Sequence, residues 1–400
     1  PSAAEIGKPD LAGSNNWAVS GALTETGSAL MSNDMHLGLT VPGIWYQARL
    51  VVNGDSPRDV TGVTLPGTPF MIGGSNTMIA WGNTNSYGDW TDAVVLQPGR
   101  AEGTYKTAGG DRPFVEVIEQ IEIKGAEPVD FVVRETIWGP VHDNVDYPDG
   151  EIAVSWLAHD VRSLNLNLLR LETAASVDEA LDIASTMGGP PQNLVVGDRG
   201  GNIGWTIAGQ IPIRNGYEPF LPADWSGGAG WDGWLAPEEM PRVVQPDGGR
   251  IWTANARVVD DKALAIIGDG GYDLGARARQ IRDGLFAIDR FEPQDMLAVQ
   301  LDDRAIFLSR WRDLLLKTLD SSSVDGHKGR GEYRRLVDGW LPRASTDSVG
   351  YRLVRGFRSE VQKRVFTMLM QPVFEAYGEQ TKLRMSKQFE GLLWLLVTEK

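Results

Sequence analysis

The chain has 400 residues and is acidic, with 53 Asp and Glu against 38 Lys and Arg and a formal net charge of −15. That charge repels phosphate backbones and argues against a nucleic-acid partner. The absence of cysteine excludes disulfides, thiolate nucleophiles and cysteine metal sites. No stretch reaches the roughly 18 to 20 apolar residues needed to span a bilayer, so we expect a globular protein without a membrane segment.

The first part of the chain, from about residue 16 to 160, predicts strands and hairpins. Short apolar runs are separated there by Gly, Asn, Asp and Pro, which favour turns. The clearest runs are NWAVSG, SALMSND, GIWYQARLVV, TMIAWGNT, FVEVIEQIEIKG and VDFVVRETIWG. Farther on, Ser176 and Glu179 form a capping-box pattern that opens a helix, and Gly188 is expected to end it.

The pattern then changes towards helix. Two more strands, QNLVVGD and NIGWTIAG, are followed by residues 214–250, which are rich in Gly, Pro and Trp and predict an ordered irregular loop. Beyond about residue 292 the apolar residues recur with helical spacing, as in FEPQDMLAVQ, RAIFLSRWRDLLLKTL and the stretch from Tyr351 to Tyr377. We therefore expect strands first and helices last.

Any nucleophile must be oxygen-based, and only four histidines are available as bases. Neither a G-x-S-x-G elbow nor an H-E-x-x-H zinc helix is present. A serine can instead be activated by its own α-amine, which requires that cleavage make it the amino terminus. Gly13-Ser14 before an apolar strand fits that requirement, since Gly permits strained backbone geometry. Taken alone, the same pair is also typical of an ordinary loop.

The run GSNNWAVSG, followed by SNDMHLGLTVPGIWYQARL, resembles the junction and start of the β chain in the penicillin acylase family of N-terminal nucleophile hydrolases. The resemblance implies an α+β fold, the four-layer αββα sandwich. It implies that the precursor cuts itself between Gly13 and Ser14 and that Ser14 is then the catalytic nucleophile. The reaction implied is hydrolysis of the amide of N-acylated small molecules, of the penicillin or acyl-homoserine lactone type, through an acyl-enzyme.

Other motifs match the family's catalytic positions. WGNTN implies that the backbone N–H of Asn85 donates to the oxyanion, and RIWTANARV implies that the Asn255 side chain is the second donor. His36, in MSNDMHLG, would orient Ser14 and assist processing; a purely structural histidine is the alternative. In GARARQIRD the spacing points to Arg277 as the residue that holds the asparagine and the terminal amine, with Arg279 as the competing choice.

The resemblance also implies a structural calcium ion and no organic cofactor. Asp89, Thr91 and Asp92 in YGDWTD and Pro219 in YEPFLP match the family's ligands, and hard oxygen ligands at turns suit Ca²⁺. A further aspartate ligand stays open among Asp260, Asp261 and Asp269.

Leu37 and Tyr87 fall where the family lines its acyl pocket, although apolar residues of this kind are also common in protein cores.

The expected organisation is a junction tail over residues 1–13, a hydrolase core over 14–290 and an incomplete helical part over 291–400. The family implies an α chain from the same precursor as partner in a heterodimer, and export to the periplasm. Two other hypotheses remain: a non-catalytic relative that binds ligands, and a Ser-His-Asp hydrolase that uses His36.

Overall fold

A computed structural model describes residues 13–38, 40–142, 147, 150–378, 381, 383 and 385–399. The predicted tail therefore lies outside the described residues, apart from Gly13. The strands are β1 (Gly13–Val19), β2 (Leu30–His36), β3 (Tyr46–Val52), β4 (Arg58–Thr64), β5 (Gly73–Ser75), β6 (Ile79–Asn85), β7 (Thr91–Leu96), β8 (Thr104–Thr107), β9 (Gly110–Pro113), β10 (Val115–Ile121), β11 (Val129–Thr136), β12 (Gly139–Pro140), β13 (Glu151–Trp156), β14 (Gln192–Asp198), β15 (Ile203–Ala208), β16 (Pro212–Asn215), β17 (Ala223–Asp224), β18 (Gly230–Trp234), β19 (Arg242–Val244) and β20 (Arg250–Thr253).

Helices follow mainly after the last strand. They are α1 (Val177–Ala184), α2 (Asp261–Ile267), α3 (Ala276–Phe286), α4 (Pro293–Gln300), α5 (Ser309–Thr318), α6 (Ser321–Val324), α7 (Arg330–Asp338), α8 (Val349–Leu369), α9 (Gln371–Tyr377) and α10 (Phe389–Thr398). Within the described residues, none of them is long and apolar enough to cross a bilayer.

Two stacked sheets form the centre of the fold. One has three strands in the order β2-β1-β20, and the other has seven in the order β19-β15-β14-β6-β5-β4-β3. Strand β1 lies in the middle of the smaller sheet and packs against β6 and β14 of the larger one. Ala18 of β1 is buried between the two sheets, together with Val195 and Trp205.

A helical layer covers the outer face of each sheet. Leu181 of α1 packs on the larger sheet with Trp81 and Leu194. On the other side, Trp17 of β1 packs against Leu285 of α3. The order helix, sheet, sheet, helix is the αββα arrangement that the resemblance implied. Each sheet has apolar side chains on both faces, so each needs a covering layer on both sides.

The predicted strands are confirmed, but two expectations about local structure were wrong. Helix α1 begins with Ser176 accepting from the Glu179 N–H at 3.3 Å, as the capping box requires, yet it ends at Ala184 and not at Gly188. The Ser185 and Thr186 hydroxyls bond the carbonyls of the last turn and stop the helix earlier. The stretch 214–250 contains β17, β18 and β19 and is therefore not wholly irregular.

The later helices have a core of their own. Trp311 and Leu315 of α5, Val354 of α8 and Leu393 of α10 are buried in it. Helix α4 instead packs on the smaller sheet, where Ser32 donates to Gln300 at 3.0 Å. The first helices after the strands thus complete the sandwich, and those from α5 onward form a second cluster.

Candidate active site

Ser14 is the second residue of β1, the central strand of the smaller sheet, and is buried, with 8% of its surface exposed. It is paired with Met35 on β2, while Gly13 is paired with His36. Because successive side chains in a strand point to opposite faces, Ser14 shares the face of Ala18, towards the larger sheet. Asn15 shares the face of Trp17, towards α3.

The Asn255 side chain makes direct hydrogen bonds to Ser14. Its Oδ1 accepts from the Ser14 backbone N–H at 2.7 Å, and its Nδ2 donates to Ser14 Oγ at 3.2 Å. Asn255 lies two residues after β20, is fully buried and has a left-handed φ of 62°. Asparagine tolerates this backbone region better than most residues.

The orientation of the Asn255 amide is fixed by its neighbours. Its Oδ1 also accepts from Arg277 Nη2 at 2.9 Å, and its Nδ2 donates to the Asn85 carbonyl at 3.0 Å. A guanidinium can only donate and a carbonyl can only accept, so the amide cannot be flipped without losing both bonds. One amide N–H therefore points to Ser14 Oγ and the other to the Asn85 carbonyl.

Asn85 lies at the end of β6, beside this amide. Its carbonyl faces Asn255, and its Oδ1 accepts from the Tyr87 N–H at 3.0 Å. Asn85 therefore lies at the site as predicted, and it contacts the Asn255 amide through its carbonyl. Donation by its backbone N–H stays a prediction.

Arg277, at the start of α3, reaches the site, whereas Arg279 does not. Arg277 Nη1 donates to the Ser14 carbonyl at 2.9 Å and to Asn15 Oδ1 at 2.7 Å. Arg279 is 77% exposed and lies 3.7 Å from Asp283. Of the two arginines left open by the sequence, Arg277 is the one in contact with Ser14 and Asn255.

His36 is paired across the strands with Gly13, next to Ser14, but its side chain lies on the opposite face of the sheet from the Ser14 side chain. Its Nε2 is 2.9 Å from Asp34 Oδ2 and 3.2 Å from Asn15 Nδ2. In the described part of the chain it makes no hydrogen bond to the Ser14 hydroxyl, because the register places His36 with Gly13. The role of His36 in orienting Ser14 and assisting processing stays a prediction, and in this geometry its ring contacts Asn15, the residue after Ser14. The hydrogen bond from His36 lowers the pKa of Asp34.

Asn33 is a site-supporting residue that sequence reasoning missed. Its Nδ2 donates to the carbonyls of Asn15 at 2.9 Å and Asn83 at 3.0 Å, and so joins the two sheets beside Ser14. Gly82 leaves room for it, since a Cβ there would lie 2.8 Å from Asn33 Cβ. The only signal in the sequence was a polar residue at an inward-facing strand position.

Leu37 and Tyr87, the predicted pocket residues, flank this region. Leu37 follows β2 and is 40% exposed. Tyr87 has a left-handed φ of 48°, and its ring lies 5.3 Å from Lys387 Nζ. Their contact with an acyl group stays a prediction.

The predicted calcium ligands Asp89 and Asp92 lie on either side of Arg214. Arg214 Nε donates to Asp92 Oδ2 at 2.9 Å, and its Nη2 is 3.3 Å from Asp89 Oδ2. Burial raises the pKa of Asp89 to about 6 against the effect of Arg214, with Asp92 and Asp269 adding to the rise. Of the three aspartates left open, Asp269 is therefore the one whose charge acts on Asp89.

The turn that contains Asp89 and Asp92 has some, but not all, of the features of a site for a hard cation such as Ca²⁺. Asp92 Oδ1 is buried and has no hydrogen bond within the described residues, and one guanidinium faces more than one carboxylate. The backbone of Thr91 lowers the pKa of Asp89, and contact of Thr91 and Pro219 with a cation stays a prediction. No group of three or more metal-binding side chains occurs among the described residues, so backbone carbonyls would have to complete the coordination.

The fold and site together define a class. An αββα sandwich with a serine near the start of its central strand, held at both its N–H and its Oγ by one asparagine, is the arrangement of the N-terminal nucleophile hydrolase fold. A solved structure supports this assignment: the thermostable penicillin G acylase from Alcaligenes faecalis has the same fold with a TM-score of 0.67, at 23% identity, covering 84% of this chain and 60% of that one.

The chain belongs to the penicillin amidase family, whose model matches residues 2–396. It is 28% identical to the acyl-homoserine lactone acylase QuiP of Pseudomonas aeruginosa over 96% of this chain and 48% of that protein. It is 29% identical to the penicillin acylase 2 proenzyme of Pseudomonas sp. strain SE83 over 88% of this chain and 45% of that protein. The chain thus spans about half the length of these curated relatives.

Proposed function

We propose that the protein is an amide hydrolase whose nucleophile is Ser14, acting on N-acylated small molecules of the penicillin or acyl-homoserine lactone type. The observation that supports this most strongly is the Asn255 amide, which bonds both the Ser14 N–H and Ser14 Oγ. The same two atoms of Ser14 would be the base and the nucleophile in an N-terminal serine enzyme.

The reaction needs a base for the Ser14 hydroxyl. Once Ser14 is the amino terminus, its α-amine, with a pKa near 8, takes the hydroxyl proton through one water. Oγ then attacks the amide carbon, the C–N bond breaks, and the amine leaves with that proton. Water next attacks the acyl ester, and the acid is released as Oγ regains a proton.

The developing oxyanion needs donors. Asn255 Nδ2 donates one N–H to Ser14 Oγ and the other to the Asn85 carbonyl, so the first lies beside the place where the oxyanion would form. The backbone N–H of Asn85 is the second donor in this mechanism. Arg277 holds the Asn255 amide in the productive orientation.

The free terminus would come from self-cleavage between Gly13 and Ser14. In the uncut chain Ser14 Oγ sits beside its own peptide N–H, with the same Asn255 amide bound to both. Attack of Oγ on the Gly13 carbonyl converts the amide to an ester, which water then hydrolyses to leave Ser14 with a free amine.

A direct test is the release of free amine from penicillins and N-acyl-homoserine lactones by the full-length protein. We expect hydrolysis by the wild type and none by Ser14→Ala. Ser32→Ala, a matched change on β2, should retain activity because the Ser32 hydroxyl donates to Gln300 and, among the described residues, makes no hydrogen bond to Ser14. Equal turnover by Ser14→Ala and the wild type would refute the proposal, and ligand binding without turnover in both would favour the binding-protein hypothesis.

The partner in this proposal is the α chain of the same precursor. Strand β3 has Leu50, Val51 and Val52 exposed at 44%, 54% and 40%, an apolar edge that a second chain could cover. One relative is named a proenzyme. Export to the periplasm belongs to the same proposal. Cell fractionation and the native mass of the mature protein test both points.

A structural calcium ion at the Asp89–Asp92 turn is also proposed. The buried, unpartnered Asp92 Oδ1 supports it. If the ion is bound, a chelator lowers the melting temperature and calcium restores it. An unchanged melting temperature in chelator and in calcium would exclude a structural ion.

A further inference from the structure

Asp273 lies just before α3 and contacts Arg277 one helical turn away. Its Oδ2 accepts from Arg277 Nη2 at 2.8 Å, and its side chain is 21% exposed. Arg277 donates to four oxygens: those of Asp273, Ser14, Asn15 and Asn255. Asp273 is therefore part of the network that reaches Ser14.

Asp273 is the one charged acceptor among these four. The other three are two side-chain amide oxygens and a backbone carbonyl, and no second ion pair of Arg277 occurs in the described residues. The Arg277 side chain is 31% exposed and could turn towards solvent, at a gain in side-chain entropy. A charge-assisted bond opposes that movement more strongly than a neutral one.

Asp273 also holds Asn255 through the backbone. Its N–H donates to the Asn255 carbonyl at 2.9 Å. The direction of the Asn255 side chain depends on its left-handed backbone conformation, with a φ of 62°. The hydrogen bond from the Asp273 N–H helps to keep that conformation. One residue thus fixes Asn255 by its main chain and, through Arg277, by its side chain.

The C-terminal helical region braces Asp273. Gln388 Nε2 donates to the carbonyls of Tyr272 at 3.1 Å and Asp273 at 3.0 Å. Lys387 Nζ lies 3.6 Å from Asp273 Oδ1. The segment before α10 is therefore connected to Ser14 through Asp273, Arg277 and Asn255.

We propose that Asp273 is a positioning residue for amide hydrolysis, a role that rests on the proposed function of Ser14. It keeps Arg277 in place by charge and keeps the Asn255 turn by its N–H. Together these hold Asn255 Nδ2 on Ser14 Oγ. Gln388 and Lys387 hold Asp273 in turn, so the helical region stabilises the geometry of the site.

The test compares Asp273→Ala and Asp273→Asn with Asp283→Asn in the full-length protein. Asp283 is a matched control, because it also pairs with an arginine of α3 but lies 51% exposed and away from Ser14. Active sites are counted by acyl-enzyme burst, and kcat is expressed per titrated site. We expect Asp273→Ala to lower kcat about 10- to 100-fold with little change in KM. Asp273→Asn should lose less, since its amide oxygen can still accept, and Asp283→Asn should match the wild type.

The outcomes separate this role from simple stabilisation. A lower melting temperature with wild-type kcat per site in Asp273→Ala would overturn the proposal. An Asp273→Ala precursor that folds but stays uncut, while Asp283→Asn matures, would support it, because the same Ser14 and Asn255 atoms act in cleavage. Inactive wild-type enzyme, or an active Ser14→Ala variant, would count against the proposed function and not against Asp273.

Discussion

The Asn255 amide uses both hydrogen-bonding ends at once. Oδ1 receives the Ser14 N–H and Arg277, while Nδ2 donates to Ser14 Oγ and the Asn85 carbonyl. Removing it leaves a buried N–H and a buried hydroxyl without their partners, and each such loss is costly. At the scale of single residues, the site depends most on this side chain.

Asn255→Ala is accordingly expected to reduce kcat by about 10²- to 10³-fold, the usual effect of losing one oxyanion donor. KM should change much less, because the donor acts mainly on the transition state. Steady-state kinetics on any substrate that the wild type hydrolyses measures this. Asn53→Ala, an exposed asparagine, is the control. Full activity in Asn255→Ala would remove the amide from the mechanism.

Asp34 makes the stability of the fold depend on pH. The hydrogen bond from His36 lowers the pKa of Asp34 in the folded protein, with smaller contributions from Asn15 and Gln300, against the effect of burial. Because the pKa is lower in the folded protein, ionised Asp34 stabilises the fold above the unfolded pKa of about 4. This stabilisation is lost as the pH falls through the folded pKa.

The wild type should therefore be more stable than Asp34→Asn at neutral pH, and the gap should close below about pH 4. Denaturant melts at a series of pH values measure it. Asp55→Asn, a change at an exposed aspartate, serves as a control. A gap that persists unchanged at acidic pH would contradict this assignment.

At the scale of strands and helices, the close contact of the two sheets at Gly82 is the most sensitive point. A Cβ on Gly82 would meet Asn33 Cβ at 2.8 Å, and Asn33 joins both sheets by its hydrogen bonds. Gly82→Ala should therefore lower stability by about 1–3 kcal/mol through overpacking, and lower activity by moving β1. Thermal unfolding and kinetics measure the two effects.

For Gly356, in contrast to Gly82, we expect substitution by alanine to raise stability. Gly356 lies inside α8, is exposed, and has open space where a Cβ would be. Gly356→Ala should raise stability by up to about 1 kcal/mol, because alanine restricts the unfolded chain and favours helix. Should Gly82→Ala and Gly356→Ala shift the melting temperature alike, the steric account of Gly82 would be wrong.

Much of the element order follows from the sequence. Alternation and turn residues predict β1, β2, β6, β14 and β15, and helical spacing predicts α4, α5 and α8. The end of α1 could not be predicted, since the Ser185 and Thr186 hydroxyls compete for its carbonyls. The short strands at 223–244 have no clear period because Gly and Trp dominate there.

At the scale of the whole molecule, the site is formed by segments far apart in the chain. The resemblance brought Ser14, Asn85, Asn255 and Arg277 forward, and the structure places them in contact. The resemblance could not indicate which face of the sheet the His36 side chain occupies, because that depends on the register of strand pairing. Asp273 was missed because its importance comes from a tertiary contact with Arg277, which no local pattern signals.

The arrangement of layers holds the site from several parts of the fold. Ser14 lies between two sheets, Arg277 reaches it from the covering helix α3, and the last helical segment holds Asp273. Each group is fixed by a different part of the fold, so small movements of one layer alter the alignment of the others. This is consistent with a site that performs two similar reactions, cleavage of its own chain and then of substrate.

The most direct test of the central claim is the intact mass and amino-terminal sequence of the full-length protein and of its Ser14→Ala variant. We expect a new terminus beginning Ser-Asn-Asn-Trp in the wild type and an uncut chain in Ser14→Ala. If both proteins remain uncut, or if both are cut at the same bond, Ser14 is not the nucleophile of processing and the proposed mechanism is wrong.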